Sequence, residues 1–213
     1  SNHFRSMKNF IESALEQTNE TIVVFDLGLE DAEKAELGTF SRLVFRKLRL
    51  QEYGEHVASL QVFAWKPILI HHILQEVEHV LWLDAGCLLQ QNVDSIFAIL
   101  VQSGLFLTAA NSYIGQLTHP SMMEQFEAHD LKSMIQVNGG VVGFSRSAKA
   151  YDEVLMPWRK CAMRLTCIAP HGSSRENHRQ DQSVLSILVR KQGREVHELS
   201  SFGIAVHQDQ DAN

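Results

Sequence analysis

Basic residues, cysteines and long apolar runs are all scarce in this sequence of 213 residues. Its 19 Lys and Arg residues stand against 25 Asp and Glu residues, which gives a formal net charge of -6. We therefore expect no basic surface of the size that duplex nucleic acid requires. No apolar run approaches the roughly 20 residues that a membrane span needs. The sequence predicts neither a nucleic-acid partner nor a membrane-spanning segment within its length.

The three cysteines, Cys87, Cys161 and Cys167, are too few for a disulfide framework and lack the paired spacing of a structural zinc site. A bridge between Cys161 and Cys167 requires the chain to leave its helix between them. Free, half-buried thiols are the default expectation, because the compartment rather than the spacing decides whether disulfides form.

The composition, 45% hydrophobic and 21% charged, describes a single globular domain over 1–213 with a substantial core. Helical and strand patterns alternate, which predicts an α/β fold with a mostly parallel central sheet flanked by helices. We find no internal repeat and no low-complexity linker. The patterns predict helices over 4–15, 31–37, 58–77 with its regular part starting near Lys66, 93–100, 148–164 and 181–191, and strands over 21–27, 42–48, 80–83, 105–110 and 136–144.

The pattern opens with a helix, whereas a doubly wound sheet normally opens with a strand. We therefore expect that the first strand has been cut away, and the absence of an initiator Met agrees with trimming. Ser1, Asn2 and His3 would then remain from the loop after that strand. A frayed terminus or cloning residues explain them equally well.

The most informative stretch is HVLWLDAGCLLQQNVD, His79 to Asp94. The apolar residues Val80 to Leu83 predict a strand buried on both faces, and Asp84 follows directly in a turn of small residues. Open α/β sheets bind ligands at the carboxyl ends of their strands. The stretch therefore predicts an acid presented to a ligand, followed by a helix that Asp94 caps.

Two further clusters are candidates for ligand contacts. Lys66 stands at a predicted helix start, where its ammonium could meet a diphosphate. The competing interpretation is a solvated surface lysine, because lysines are mostly exposed. Asn138, Gly139 and Gly140 open an apolar strand, where the glycines permit close approach of a ligand or another backbone. A bulge or tight turn explains them equally well.

The loop GSSRENHRQDQ runs into the predicted helix that contains Val184 and Leu185. Convergent polar groups beside an apolar element mark pockets. The end of this loop is therefore a candidate site, with four residues: His178, Arg179, Asp181 and Gln182. An acid near a helix start is also favoured by the helix dipole, so capping alone accounts for Asp181. His207, near the end of the chain, is a candidate metal ligand whose ordinary interpretation is a solvated side chain.

The ordered series FAWKPILI, LWLDAGCLLQQNVDSIF, NGGVVGFSR and RQDQSVLSILV resembles the GT-A glycosyltransferases, especially the glycogenin-like and lipopolysaccharide-galactosyltransferase-like family. It resembles still more closely a poorly characterised branch of that superfamily, in which NHF, VVFDLGL, AWKP, WLDAG, NGG and HRQDQS occur in this order. The resemblance covers roughly residues 1–188. It implies a Rossmann-like nucleotide-diphospho-sugar transferase domain.

The resemblance implies a UDP-sugar donor and a glycan, glycoprotein or glycolipid acceptor. Lys66 would contact the donor phosphate or sugar, together with His178 and Arg179. Asn138, Gly139 and Gly140 would line the sugar pocket, while Asp181, assisted by Gln182, would face the transferred sugar. A carboxylate there stabilises oxocarbenium character at the anomeric carbon. The glycogenin-like match implies retention of anomeric configuration and, for a eukaryotic chain trimmed from a membrane-anchored protein, the Golgi lumen.

The same resemblance implies a divalent cation, Mn or Mg, on the donor diphosphate, with Asp84 and His207 as its protein ligands. The family turn reads Asp, any residue, Asp, whereas this turn reads Asp84, Ala85, Gly86. The second carboxylate is missing, which weakens a site for a hard cation. Either a nearby group substitutes for it, the cation binds mainly through the donor, or the protein works without metal.

Two hypotheses from other classes stay open. Gly86 in place of the second acid favours a catalytically silent GT-A domain that binds sugar or nucleotide, because a fold does not guarantee an activity. The run IVVFDLG, in which Asp26 ends an apolar strand, favours a haloacid-dehalogenase-type phosphatase with Asp26 as nucleophile. That fold has a second acid two residues later, where this chain has Gly28.

Overall fold

The computed structural model describes residues 3–207, so Ser1 and Asn2 lie outside the described residues. Its helices are α1 (Phe4–Gln17), α2 (Asp31–Leu37), α3 (Glu55–Ala58), α4 (Trp65–Ile73), α5 (Asp94–Ser103), α6 (Pro120–Gln125), α7 (Met156–Ala162), α8 (Leu165–Ile168) and α9 (Gln180–Lys191). Its strands are β1 (Ile22–Phe25), β2 (Leu43–Arg46), β3 (His79–Leu83), β4 (Leu88–Leu89), β5 (Leu105–Tyr113), β6 (Ile135–Ser145) and β7 (Ile204–Ala205). Short 3-10 turns and one π-helical turn, Tyr151–Leu155, complete the order.

The chain forms two compact units, each built from separated segments. Among the described residues, the smaller unit takes 3–48, 83–98 and 198–207, and the larger unit takes 49–82 and 99–197.

In the smaller unit, β1 and β2 pair in parallel, with Ile22 opposite Leu43. Helix α2 connects them, as a parallel pair requires a crossover. It starts at the predicted residue because Glu30 and Glu33 form a capping box. The core of the smaller unit contains one buried side chain from each of α1, β1 and α2, namely Ile11, Val24 and Leu37. The short strands β4 and β7 pair antiparallel in the same unit.

In the larger unit, the sheet has the order β3-β6-β5. β5 and β6 run antiparallel, with Leu107 opposite Val142. The α/β class is confirmed, but the strand pairing is mixed rather than mostly parallel. Three aromatic side chains, Phe106, Phe144 and Trp158, are fully buried in its core. Helix α9 packs against β6 and buries Val184, Leu185 and Ile187.

The predicted helix over 148–164 is divided into the π-helical turn and α7, and α7 ends at Ala162. Because the chain leaves the helix there and α8 begins only at Leu165, Cys161 and Cys167 can meet, and they form a disulfide. The expectation of free thiols is therefore wrong for this pair, while Cys87 is a free buried cysteine.

None of the helices formed by residues 3–207 is both long enough and apolar enough to cross a membrane.

Candidate functional site

The larger unit holds a buried ion pair between Lys66 and Asp181. Lys66 is the second residue of α4, where Pro67 fits because the first turn of a helix leaves backbone N–H groups unbonded anyway. Only 3% of Lys66 and 4% of Asp181 is exposed. The Nζ of Lys66 lies 3.4 Å from Oδ2 of Asp181. The interpretation of Lys66 as a solvated surface lysine is therefore wrong.

Gly139, in β6, is the third member of this cluster. Its carbonyl oxygen accepts a hydrogen bond of 2.8 Å from Nζ of Lys66. A Cβ atom at this position would lie 3.1 Å from Cβ of Gln182 and 3.3 Å from Oδ2 of Asp181. Glycine thus lets α9 approach β6 closely, which is the close approach that the paired glycines predicted.

Asn138 and Gly140 flank that glycine on the same strand and are both half-buried. The Oδ1 atom of Asn138 accepts a hydrogen bond of 2.8 Å from the Gly140 backbone N–H. This bond fixes the asparagine amide next to the Lys66 contact. The roles predicted for Asn138 and Gly140 in a sugar pocket remain predictions.

Gln182 connects α9 to β6 through Gln136. Its Oε1 accepts from the Gly139 backbone N–H at 3.4 Å, and its Nε2 donates to Oε1 of Gln136 at 2.8 Å. Gln136 is fully buried, and its own Nε2 donates to Leu117 O and Thr118 Oγ1. The sequence interpretation missed Gln136, although a polar residue inside an apolar strand is the signal that would have identified it.

Trp158, in α7, holds the start of α9 from the core side. Its indole Nε1 donates a hydrogen bond of 2.9 Å to the backbone carbonyl of Asp181. Gln180, the preceding residue, has a φ of +38°, which is strained for a residue with a side chain. No sequence pattern indicates the Trp158 contact, because its helical spacing predicts only a core position. The helix start that presents Asp181 is thus both strained and anchored.

The predicted site residue His178 is fully buried in the loop before α9. Its Nδ1 accepts from the His119 backbone N–H at 3.3 Å, so the proton lies on Nε2, which donates to the Ile168 carbonyl at 3.0 Å. Burial lowers the pKa of His178 to about 4, against the opposing effect of the Ile168 carbonyl. His178 holds the loop in place, and its predicted donor contact stays a prediction.

Acidification is expected to destabilise the protein through His178. Since its pKa in the folded chain is below the ordinary value, the unfolded chain binds more protons between about pH 4 and pH 6.5, and stability is lost as pH falls through that range. The expected loss between pH 7 and pH 5 is about 2 kcal/mol. Urea unfolding at both pH values measures it. The variant His178→Gln should flatten this dependence and the exposed control His129→Gln should keep it; an equal dependence in both variants would contradict the assignment.

Arg179 is the N-cap residue of α9 and is partly buried. Its backbone N–H donates to Leu117 O at 3.1 Å and to Ser183 Oγ at 3.0 Å. Burial lowers the pKa of its guanidinium, and the neighbouring charge of Arg175 adds to this effect. Two cations close together favour an anion as neighbour, which is consistent with the predicted donor contact of Arg179.

In the smaller unit, the acidic turn follows β3. Asp84 begins a tight turn, in which its carbonyl oxygen accepts a hydrogen bond of 2.9 Å from the Cys87 N–H across Ala85 and Gly86. β4 pairs with β7 in a register that sets Leu88 opposite Ala205. β7 ends at Ala205, and His207, two residues later, is exposed and has a φ of +60°, so it is not part of the strand.

The predicted protein ligands for a metal ion are Asp84 and His207. Within residues 3–207, no three His, Cys, Asp or Glu side chains form a group that could hold a metal ion. The donor set therefore does not fit a cation that the protein holds alone. It fits a cation that arrives with a diphosphate, because such cations take one or two carboxylates and complete their coordination with phosphate oxygens and water.

Asp26, the nucleophile of the phosphatase hypothesis, has a structural role in the smaller unit. Its Oδ1 accepts from the N–H groups of Gly28 and Leu29, and Nζ of Lys34 lies 3.0 Å from its Oδ2. Burial alone would raise its pKa, but these contacts outweigh burial and lower it to about 2. The carboxylate therefore organises the turn after β1.

Solved structures of glycosyltransferases share this fold. The match to mouse xyloside xylosyltransferase 1, in its apo form, covers 93% of this chain and 80% of the mouse chain, with a TM-score of 0.55 and 15% identity. The match to core-mannan synthase A (CmsA/Ktr4) from Aspergillus fumigatus, in its Mn/GDP form, covers 97% of this chain and 72% of the synthase chain, with a TM-score of 0.58 and 11% identity. The bifunctional glycosyltransferase WbbM, in its apo structure, matches 88% of this chain, with a TM-score of 0.59 and 11% identity, and the match spans only 35% of WbbM.

No protein-family model and no curated protein matches the sequence. The structural likenesses show that this chain has a GT-A-like glycosyltransferase fold.

Proposed function

We propose that this protein is a glycosyltransferase that moves a sugar from a nucleotide-sugar donor, a UDP-sugar, to a glycan, glycoprotein or glycolipid acceptor. The observation that carries the proposal is the buried cluster of Lys66, Gly139 and Asp181 in a fold shared with glycosyltransferases. A buried ion pair contributes little net stability, which makes a nearly fully buried carboxylate and ammonium candidates for a functional role.

Each side chain has a role that follows from its chemistry. Breaking a glycosyl bond develops positive charge on the sugar, which the carboxylate of Asp181 stabilises more strongly in a dry site than in water. The departing diphosphate gains negative charge, which the ammonium of Lys66 offsets. Gln182 orients the start of α9 through its hydrogen bond to β6. We propose retention of anomeric configuration, following the glycogenin-like resemblance.

We propose that a divalent cation, Mn or Mg, enters with the donor and that Asp84 is its protein carboxylate. The Mn/GDP form of core-mannan synthase A supports this proposal by fold likeness. When bound, the cation would offset charge on the departing diphosphate. His207 is the candidate second ligand by the family resemblance, and it follows β7, the partner of the strand β4 that comes after the acidic turn.

A thermal-shift panel tests donor binding. UDP or a UDP-sugar is expected to raise the melting temperature, because a ligand that binds only the folded state stabilises it. GDP and CMP are the comparison nucleotides, each with Mn, with Mg and with a chelator. The variant Asp84→Asn should lose the metal-dependent part of the shift, while Asp94→Asn, a conservative change of another acid, should keep it. The absence of a shift with every nucleotide would refute the proposal.

The second candidate function is a catalytically silent module that binds nucleotide or sugar. The turn Asp84-Ala85-Gly86, which offers a single carboxylate, is the observation that favours it. This candidate predicts nucleotide binding without any donor cleavage. Nucleoside diphosphate release from the donor therefore distinguishes the two functions.

A further inference from the structure

Three aromatic side chains of the larger unit lie together beside the Lys66–Asp181 pair. The ring centroids of Trp65 and Trp82 are 5.8 Å apart, and those of Phe63 and Trp65 are 6.3 Å apart. All three rings are half-buried. We call Phe63, Trp65 and Trp82 the aromatic surface. The Nζ of Lys66 lies 5.8 Å from the Trp65 ring centroid, so this surface adjoins the buried ion pair directly.

The aromatic surface is held in a fixed arrangement. The indole Nε1 of Trp65 donates a hydrogen bond of 3.2 Å to the Leu60 carbonyl. Phe63 has a φ of +55°, a conformation that bulky residues rarely adopt and that often marks functional positions. The guanidinium carbon of Arg175 lies 5.1 Å from the Phe63 ring centroid. The guanidinium of Arg175, an exposed cation with several N–H donors, therefore lies over the Phe63 ring, the neighbour of the Trp65 ring.

We infer that the aromatic surface binds a pyranose ring of the acceptor glycan, an inference that rests on the proposed glycosyltransferase function. A pyranose has an apolar face of C–H groups and a rim of hydroxyl groups. The Trp65 and Trp82 planes are inclined by 50°, so one indole face matches the apolar face of the sugar while the second indole closes its edge. The Arg175 donors match hydroxyl groups at the rim. A sugar ring on Trp65 would lie next to Lys66 and thus near Asp181, the carboxylate proposed to face the transferred sugar.

Saturation-transfer NMR tests this inference without requiring turnover. The probes are trisaccharides of xylose, mannose, glucose or galactose. Two comparison compounds are sorbitol, an open-chain polyol that has no ring face, and uridine, a nucleoside with an aromatic base. We expect at least one trisaccharide to receive saturation on its ring C–H protons, and sorbitol to receive none. Trp65→Ala and Trp82→Ala should weaken that binding about tenfold or more, whereas Trp65→Phe and Trp82→Phe should retain most of it. Tyr113→Ala, an exposed aromatic elsewhere in the larger unit, is the matched control and should bind like the unaltered protein.

Three results would overturn the inference: no saturation of any trisaccharide, equal trisaccharide binding in the alanine variants, or loss of uridine rather than trisaccharide binding in those variants. The nucleotide thermal shift is measured on the same proteins. A nucleotide shift without trisaccharide binding refutes the aromatic surface and leaves the transferase proposal intact. Trisaccharide binding to the aromatic surface without any nucleotide shift supports the surface and refutes the transferase.

Discussion

Replacing Asp181 by asparagine is expected to lower donor turnover by about 100- to 1,000-fold, because the variant loses the negative charge proposed to stabilise the developing positive charge on the sugar. The asparagine keeps the shape of the side chain, so nucleotide binding should change much less than turnover. Steady-state release of nucleoside diphosphate measures the first quantity, and the nucleotide thermal shift measures the second.

The matched control for this variant is Asp130→Asn, which removes an exposed carboxylate of the same unit. It should leave turnover unchanged. Because asparagine also leaves the buried Lys66 ammonium without its carboxylate, the variant is expected to lose stability, and turnover is therefore compared per folded molecule. A turnover per folded molecule equal to that of the unaltered protein would assign Asp181 to stabilising the fold alone. Unchanged turnover in a folded Asp181→Asn protein would remove Asp181 from the chemistry.

Replacing Lys66 by methionine is expected to lower the free energy of unfolding by about 3–5 kcal/mol. Methionine fills much of the same volume, but it leaves the Asp181 carboxylate buried without the ammonium 3.4 Å away and removes the hydrogen bond to the Gly139 carbonyl. Urea unfolding at neutral pH measures the loss.

The double variant Lys66→Met/Asp181→Leu separates the ion pair from simple packing. Removing both charges eliminates the buried uncompensated carboxylate, so the double variant should be more stable than Lys66→Met alone. It should also be inactive, which gives a folded protein without the proposed chemistry. A double variant less stable than Lys66→Met would show that packing, rather than charge, dominates at this position.

The positions of most elements follow from sequence periodicity. Helix α2 begins and ends at the predicted residues, and β3 ends where Asp84 was expected, because capping residues and an apolar run bounded by an acid are local signals. Strand direction was harder to predict. The alternation of helices and strands predicted a mostly parallel sheet, yet β5 and β6 pair antiparallel, because the apolar pattern of a buried strand is the same in both directions.

The candidate site could be predicted only in part for a related reason. Sequence patterns identified Lys66, Gly139 and Asp181 one by one, but their meeting depends on the close approach of α9 to β6, a long-range contact. A surface position was one of the two interpretations of Lys66, since nothing local shows that its ammonium reaches a carbonyl 73 residues away. The contacts of Gln136 and Trp158 were missed because each lies between distant segments.

The most direct test of the proposed glycosyl transfer is proton NMR of a UDP-sugar incubated with the protein and the trisaccharides above. We predict that the anomeric signal of the donor disappears while UDP and a new glycoside with the same anomeric configuration appear, and that Asp181→Asn stops this change. A donor signal that persists under conditions where UDP raises the melting temperature would contradict glycosyl transfer and establish the nucleotide-binding, catalytically silent alternative.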